Sequence, residues 1–470
     1  MAIHIALPAT VLVLVVLYKY IIQPIFFSPL SKIPSAHITS PIAPLWLLWN
    51  TYIEKENSSL FKAHQKHGSI IRLGPSEVSV CSLDGLRKIY LGNFERSEWF
   101  ANFKNYDGTP NLVTIVGRKN HANRKRFLTH IYSKSYILNS QDFHILTRII
   151  LFERLLPWLS DRASKGVDVD VLQLNYALGA EFMTAYEMGI QNGLRLIGDQ
   201  NEKQTKAYLN YAKLKLWELK GKEEAIKALE DNCLEMCDRA EETLKQQSSS
   251  NSTDHKLPGT EDTSFPVVYS QLRTSLSTKE GIEDPQQLRR LVASEMIDNI
   301  EAAREAGGIA LTYIFHQLCK HPDIQTALHD ELHTLTLALE PLNMGTIIRA
   351  IDGLPLLDAI IIETLRLFTA APGRQRRIVP PGGVVVDGYF IPGGVEISSS
   401  AYCIHRHPGA FPDADVWRPE RWMTNGQAGY GEKAEDLETG RDDNNPRRWF
   451  WAFGNGGRMC IGSNFMLLGM

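Results

Sequence analysis

Residues Phe453–Gly462 read FGNGGRMCIG. One cysteine, Cys460, stands among four glycines and one arginine, just ahead of the apolar run Phe465, Met466, Leu467 and Leu468. Gly454, Gly456, Gly457 and Gly462 let the backbone turn tightly and let a flat ligand approach it closely. The apolar run reads as the start of a helix, whose free N–H groups and dipole favour a thiolate over a thiol. Arg458, two residues before the cysteine, is placed to reach an acidic group at the rim of such a ligand. A thiolate kept in this way is a strongly electron-donating ligand for iron.

Upstream segments extend the pattern. ETLR, Glu363–Arg366, places a carboxylate and a guanidinium one turn apart on a helix, which alone is an ordinary solvated pair. PERW, Pro419–Trp422, contributes Arg421, and HANRKR, His121–Arg126, is a basic helical stretch. Phe453, Gly456, Arg458, Cys460 and Gly462 match the haem-ligand loop of the cytochrome P450 family at its defining positions. With the other segments in the family's order, the chain resembles microsomal, particularly fungal, members of that family.

The resemblance implies a mainly α fold with a small β-sheet region and haem b held by the axial thiolate of Cys460. It implies a Glu363–Arg366–Arg421 cluster behind the haem. It places His121 and Lys125 on the helix that contacts the haem propionates. The family commonly has Arg at the second of these positions, and lysine makes no bidentate contact, so Arg124 is a candidate to share the role. Arg377 stands at a further propionate position, with Arg374 and Arg376 close enough to compete for it. CIHRH, Cys403–His407, carries metal-type side chains but matches a family segment that is not a second metal site.

The oxygen-activating helix of the family reads A-G-x-[D/E]-T, which registers here on Ala302, Ala303, Arg304, Glu305 and Ala306. The resemblance assigns Glu305 and Ala306 to catalysis, with alanine where the family has a threonine that orders water and delivers protons. Glu305 with ordered water, or a substrate hydroxyl, is then expected to fill that role. Thr312 lies nearly two turns on, too far to substitute. The small residues Ala302, Ala303, Ala306, Gly307 and Gly308 read as a notch for a planar ligand and substrate, and close helix packing is the alternative.

The N-terminus has its own character. Met1–Tyr18 carries no charged side chain, and only Lys19 and Gln23 interrupt the apolar run through Phe27. Residues 1–27 therefore read as a single-pass anchor, with Lys19 snorkelling and Tyr18 and Tyr20 at the boundary. Lys19 and Lys32 follow the apolar run, which is expected to put the body on the cytosolic side, and the resemblance to microsomal members implies the endoplasmic reticulum membrane. Neither the basic start nor the cleavage site of a signal peptide is present. Residues 28–45, with Pro29, Pro34 and Pro41, read as a stiff hinge, and 46–470 as the catalytic domain.

The 470 residues include 22% charged and 44% hydrophobic side chains, and the net charge of -3 argues against nucleic-acid binding. Six cysteines without a framework suit reduced thiols, and Cys233 and Cys237 read as buried small apolar residues on one helix face. Gly68–Ser82 reads as a hairpin, and residues 376–400 as further strands with Gly-Gly and Asp-Gly turns. Gly221 is expected to separate two helices, and Gln246–Ser264 to be a polar loop without a core.

The function expected from the resemblance is a monooxygenase. It would take O2, and electrons from an NADPH-dependent reductase, to oxidise a lipophilic small molecule in specialised metabolism. Ala306 keeps open a haem-thiolate isomerase or dehydratase. The end at Met470, before the strands that usually follow in the family, keeps open a truncated, non-catalytic haem protein.

Overall fold

Alternating apolar residues around Pro75 form a hairpin, β1 (Ile70–Gly74) and β2 (Glu77–Val80), as the sequence predicts. It belongs to a five-stranded sheet in the order β1-β2-β7-β4-β3, with β3 at Glu95–Arg96, β4 at Arg377–Ile378 and β7 at Glu396–Ser398. A second hairpin pairs β5 (Val384–Val386) with β6 (Tyr389–Ile391). Its Asp387-Gly388 turn has φ of 47° and 82°, the left-handed pair that such a tight hairpin needs. The computed structural model describes residues 11–92, 94–198, 219–249, 265–335, 344–423 and 444–470.

Helices make up most of the rest, in agreement with the expected fold class. They include α1 (Arg118–Leu128), α2 (Val171–Met188), α3 (Leu219–Ser249), α4 (Val267–Lys279) and α5 (Pro285–Ala302). A π-turn at Ala303–Gly307 joins α5 to α6 (Gly308–Lys320), followed by α7 (Pro355–Leu367) and α8 (Ser463–Gly469). One apolar core lies among α1 to α5, and a second covers the sheet. Phe465 carries α8 into the first core, with its ring centroid 4.9 Å from that of Tyr186 and 5.9 Å from that of Phe143. The helix that follows Cys460 is thereby fixed by aromatic packing.

Several expectations need correction. Helix α3 runs through Gly221, so that glycine does not separate two helices. Cys233 and Cys237 are buried in the helical core, as the face pattern predicts. Most of the Gln246–Ser264 loop lies outside the described residues, as do the first ten residues of the expected anchor. Residues 11–27 are helical, and among the described residues no helix is long and apolar enough to cross a membrane. The end of that helix is tied down by buried Arg72, which donates to the carbonyl of Pro24 at 2.9 Å.

A buried carboxylate joins α7 to the segment before the cysteine loop. Glu363 accepts both bonds of a bidentate pair from Arg366, at 2.8 and 2.9 Å. It also accepts from Arg421 Nε at 3.0 Å, Trp422 Nε1 at 2.8 Å and the backbone N–H of Arg418 at 2.9 Å. Arg366 spends its remaining donors on the carbonyls of His405 and Ala414. His405 continues the chain: its Nδ1 donates to the Arg366 carbonyl and its Nε2 accepts from the backbone N–H of Trp451, each at 2.8 Å. The metal-type side chain of the CIHRH stretch is thus a neutral bridge between α7 and the loop that carries Cys460.

Glu363→Gln leaves a buried guanidinium without its counter-charge and is expected to cost about 3–5 kcal/mol, read by denaturant unfolding. His405 is held at a pKa of about 3 by burial, with the nearby Arg366 adding to the effect. The unfolded state therefore binds a proton that the folded state refuses at any pH between about 6.5 and 3. Stability is expected to fall with pH across that window by about 1.4 kcal/mol per unit from this group. Comparing the pH dependence of unfolding in the wild type and His405→Gln checks it: the variant should lose that part of the slope.

Candidate cofactor site around Cys460

The loop before α8 turns on two glycines in the left-handed region, Gly454 (φ 70°) and Gly456 (φ 68°). A Cβ at Gly456 would lie 2.2 Å from the Tyr90 carbonyl oxygen, so no side chain fits there. The N–H of Cys460 donates to the Phe453 carbonyl at 2.9 Å, and Met459 to that of Gly456 at 3.0 Å. These bonds close the loop and turn the cysteine towards a cavity of about 380 Å³. Cys460 is exposed only towards that cavity and is enclosed by protein elsewhere, so burial raises its thiol pKa. The N–H of Gly462 and the charge of Lys125 oppose that rise.

The cavity lies between the cysteine loop and the α5–α6 junction. Phe453, Gly462 and Phe465 line one side and Ala302, Ala303 and Ala306 the other, with Phe100, Leu112 and Leu365 among the walls. The two glycines of the expected notch do not reach it. A Cβ at Gly308 would meet the Tyr176 ring of α2 at 2.3 Å, and one at Gly307 would meet Met466 at 3.0 Å. Close helix packing explains Gly307 and Gly308, whereas the three alanines line the ligand space.

Glu305 requires the same distinction. Arg304 donates to it at 2.6 Å and to Glu301 at 2.7 Å, and the Tyr176 hydroxyl donates to it at 3.3 Å. Glu305 is absent from the cavity wall, where Ala306 is present. The expected proton-delivering acid is therefore turned into an ion-paired cluster against α2. Thr312 bonds to the Gly308 carbonyl and to Asn175, away from the cavity.

One end of the cavity is cationic. Arg96, His121, Arg377 and Arg458 all line it. Register explains the first pairing, since Arg96 on β3 stands opposite Arg377 on β4. Burial and then the charge of Arg377 lower Arg458 to about 10, and burial with Arg377 and Arg458 lowers Arg96 to about 9. His121 is depressed to about 3 by burial and the surrounding cations. Arg96 Nε is buried without a hydrogen-bond partner. A ligand with two carboxylates on one edge would relieve this repulsion, and a planar body would reach the sulfur between the alanines and the glycine loop. The residues fit haem.

Two expected cations act elsewhere. Lys125 donates to the carbonyls of Met459 at 2.6 Å and Gly457 at 3.2 Å, clamping the cysteine loop without lining the cavity. Arg124 is taken by Glu280 in a bidentate pair at 2.8 and 3.0 Å. Of the three competing arginines only Arg377 faces the cavity, because Arg374 pairs with Glu56 and Glu77 and Arg376 with Glu396. The sequence reading missed Arg96 and Asp298, which also line the cavity. No motif marks either residue.

The cytochrome P450 family profile matches residues 39–470. The chain belongs to the cytochrome P450 family. It is a haem-thiolate monooxygenase of that family, with iron protoporphyrin as cofactor. It is 26% identical to the cytochrome P450 monooxygenase avaI of Aspergillus versicolor over 424 residues, covering 87% of this chain and 93% of that one. It is also 26% identical to the pisatin demethylase of Fusarium vanettenii, covering 95% of this chain and 82% of that one. A third relative, the cytochrome P450 monooxygenase orf2 of Aspergillus niger, is 24% identical, with 94% of this chain and 84% of that one covered. In this P450, Cys460 and the cluster of Arg96, His121, Arg377 and Arg458 line one cavity, where they would hold the sulfur-ligated iron and the carboxylate edge of the haem.

Gly456→Ala is expected to displace the loop from Tyr90 and abolish haem incorporation, since the added methyl meets rigid backbone. Haem content per chain after purification measures it, against Gly469→Ala, whose added methyl meets nothing within 4 Å.

Proposed function

We propose that this P450 oxidises a lipophilic small molecule in specialised metabolism, with electrons from an NADPH-dependent reductase. The observation that carries the reading is the largely apolar cavity between Cys460 and Ala302, Ala303 and Ala306. Haem, when bound through Cys460, supplies the dioxygen chemistry, which a thiolate ligand favours by donating electron density. The chain's own side chains do the rest. The alanines and Phe100 hold an apolar substrate and exclude water, and the arginine cluster fixes the cofactor edge. The fungal relatives include a demethylase by name, which supports an oxidative role on a small molecule. Exposed Arg118, Lys119 and Arg126 on α1, beside the cysteine loop that Lys125 clamps, suit an acidic redox partner.

Membrane attachment belongs to the same proposal, with residues 1–27 as an anchor in the endoplasmic reticulum and the catalytic body in the cytosol. It is supported by the exposed apolar side chains of residues 11–27 and by exposed Leu45, Leu48, Trp49 and Tyr52 on the helix Leu45–Tyr52. One observation favours a second reading, isomerase or dehydratase chemistry: Ala306 has no hydroxyl and Glu305 is ion-paired away from the cavity. Turnover without NADPH and O2 would decide for it.

The reduced, carbon-monoxide-bound spectrum of the full chain tests the central reading. A strongly red-shifted Soret band is expected, to be lost in Cys460→His; a histidine-like band in the wild type overturns it. Ala306→Thr is expected to reduce hydrogen peroxide released per NADPH consumed, because it supplies a hydroxyl at the cavity wall. If the wild type already couples tightly and the variant does no better, other groups deliver the protons.

A further inference from the structure

The helix Pro322–His333 turns Ile324 and Leu328 into the core beside Ile360 and Ile361 of α7. Its Glu331 carboxylate accepts from the backbone N–H groups of Leu356 and Leu357, at 2.7 and 3.0 Å. Those are unpaired donors of the first turn of α7, so Glu331 caps the helix that carries Glu363 and Arg366. The outer face of the same last turn carries two histidines. His329 and His333, four residues apart, bring their rings together with centroids 4.3 Å apart and planes tilted by 69°. Their Nε2 atoms are 3.0 Å apart, and both side chains are exposed.

In the bare protein these two nitrogens share one hydrogen, so one ring donates and the other accepts. Water would satisfy exposed imidazoles equally well, so that bond contributes little. The separation is also that of two nitrogen ligands on one metal ion. Bonds of about 2.0–2.1 Å put such nitrogens about 2.8–3.0 Å apart at a right angle and about 3.3–3.4 Å apart at the tetrahedral angle. The rings therefore need almost no movement to exchange the shared hydrogen for a cation. Asp330 supports the exchange, because its Oδ1 lies 3.5 Å from His329 Nδ1. A carboxylate there favours the Nδ1–H tautomer, which leaves the lone pair on Nε2, and it adds negative charge beside a dication.

Imidazole suits zinc, copper and nickel, whereas magnesium and calcium prefer oxygen ligands. Among the described residues no third ligand joins the pair, so water fills the remaining positions and the ion stays exchangeable. We propose that His329 and His333 form a surface site for a transition-metal dication, zinc or copper(II). The bound ion clamps the last turn of this helix and with it the Glu331 cap on α7. Glu331 lies inside the clamped turn, so the ion resists fraying at the point where that carboxylate reaches α7. The recognition needs nothing from the haem cavity and is independent of the haem-thiolate reading.

The test uses the full haem-loaded chain in detergent, titrated with Zn2+ by calorimetry and with Cu2+ by electron paramagnetic resonance. Wild type, His329→Gln and His333→Gln are compared, all carrying Cys319→Ser to remove the exposed thiol of α6 as a competing ligand. Each histidine substitution is expected to weaken Zn2+ binding at least about tenfold, because a single imidazole no longer chelates. The Cu2+ spectrum is expected to show coupling to two imidazole nitrogens, falling to one in either variant. Hydrogen exchange reads the clamp. Zn2+ is expected to slow exchange at His333, Thr334, Leu356 and Leu357 at least about threefold in the wild type and in neither variant.

Equal affinity in the wild type and both variants overturns the proposal. So does a loss in one variant alone, which means one imidazole and an adventitious ion only. Tight binding that leaves exchange at Leu356 and Leu357 unchanged overturns the clamp. The carbon-monoxide spectrum of the same samples keeps the readings apart. A thiolate band retained in both variants shows that a lost titration is not lost structure. Its absence from every sample removes the haem reading and leaves the comparison standing, since all three chains share Cys460.

Discussion

The buried Glu363 carboxylate is the constraint on which the cofactor site depends. Its oxygens face five donors from α7 and from the segment around residues 418–422, and nothing in that position would be tolerable with one donor missing. Through Arg366 and His405 the same network reaches the backbone of Trp451, two residues before the cysteine loop. From the other side, Lys125 holds the Gly457 and Met459 carbonyls, and Phe465 sets α8 into the helical core. The loop that carries Cys460 is thus fixed from three directions by elements far apart in the chain.

The cationic end of the cavity shows the opposite economy. Arg96, Arg377 and Arg458 repel one another and hold His121 neutral among them, and Arg458 donates to the carbonyls of Ile115 and Val116. The repulsion is local and would be relieved by a dianionic ligand edge. At the α5–α6 junction the division is between packing and lining. Glycines approach neighbouring helices, alanines face the ligand space, and a π-turn changes which residues do which.

How far the site could be read beforehand depended on whether a role is local. Cys460, Arg458, Gly456 and the Glu363–Arg366 pair are set by short-range geometry, and the residues were legible from spacing. Glu305 was assigned to the cavity because its register fits, yet one neighbour, Arg304, and one residue of α2, Tyr176, draw it elsewhere. Lys125 lies beside the cysteine loop, where its point charge donates to the carbonyls of Gly457 and Met459.

By itself the sequence determined the family, the helix-rich class, the first hairpin and the later strands, because each follows from residue types at fixed short spacing. Only the tertiary structure decided which of Arg374, Arg376 and Arg377 faces the ligand. It also brought Arg96 opposite Arg377. Those outcomes depend on pairing between two-residue strands and on packing between helices remote in the chain, and no local pattern encodes them.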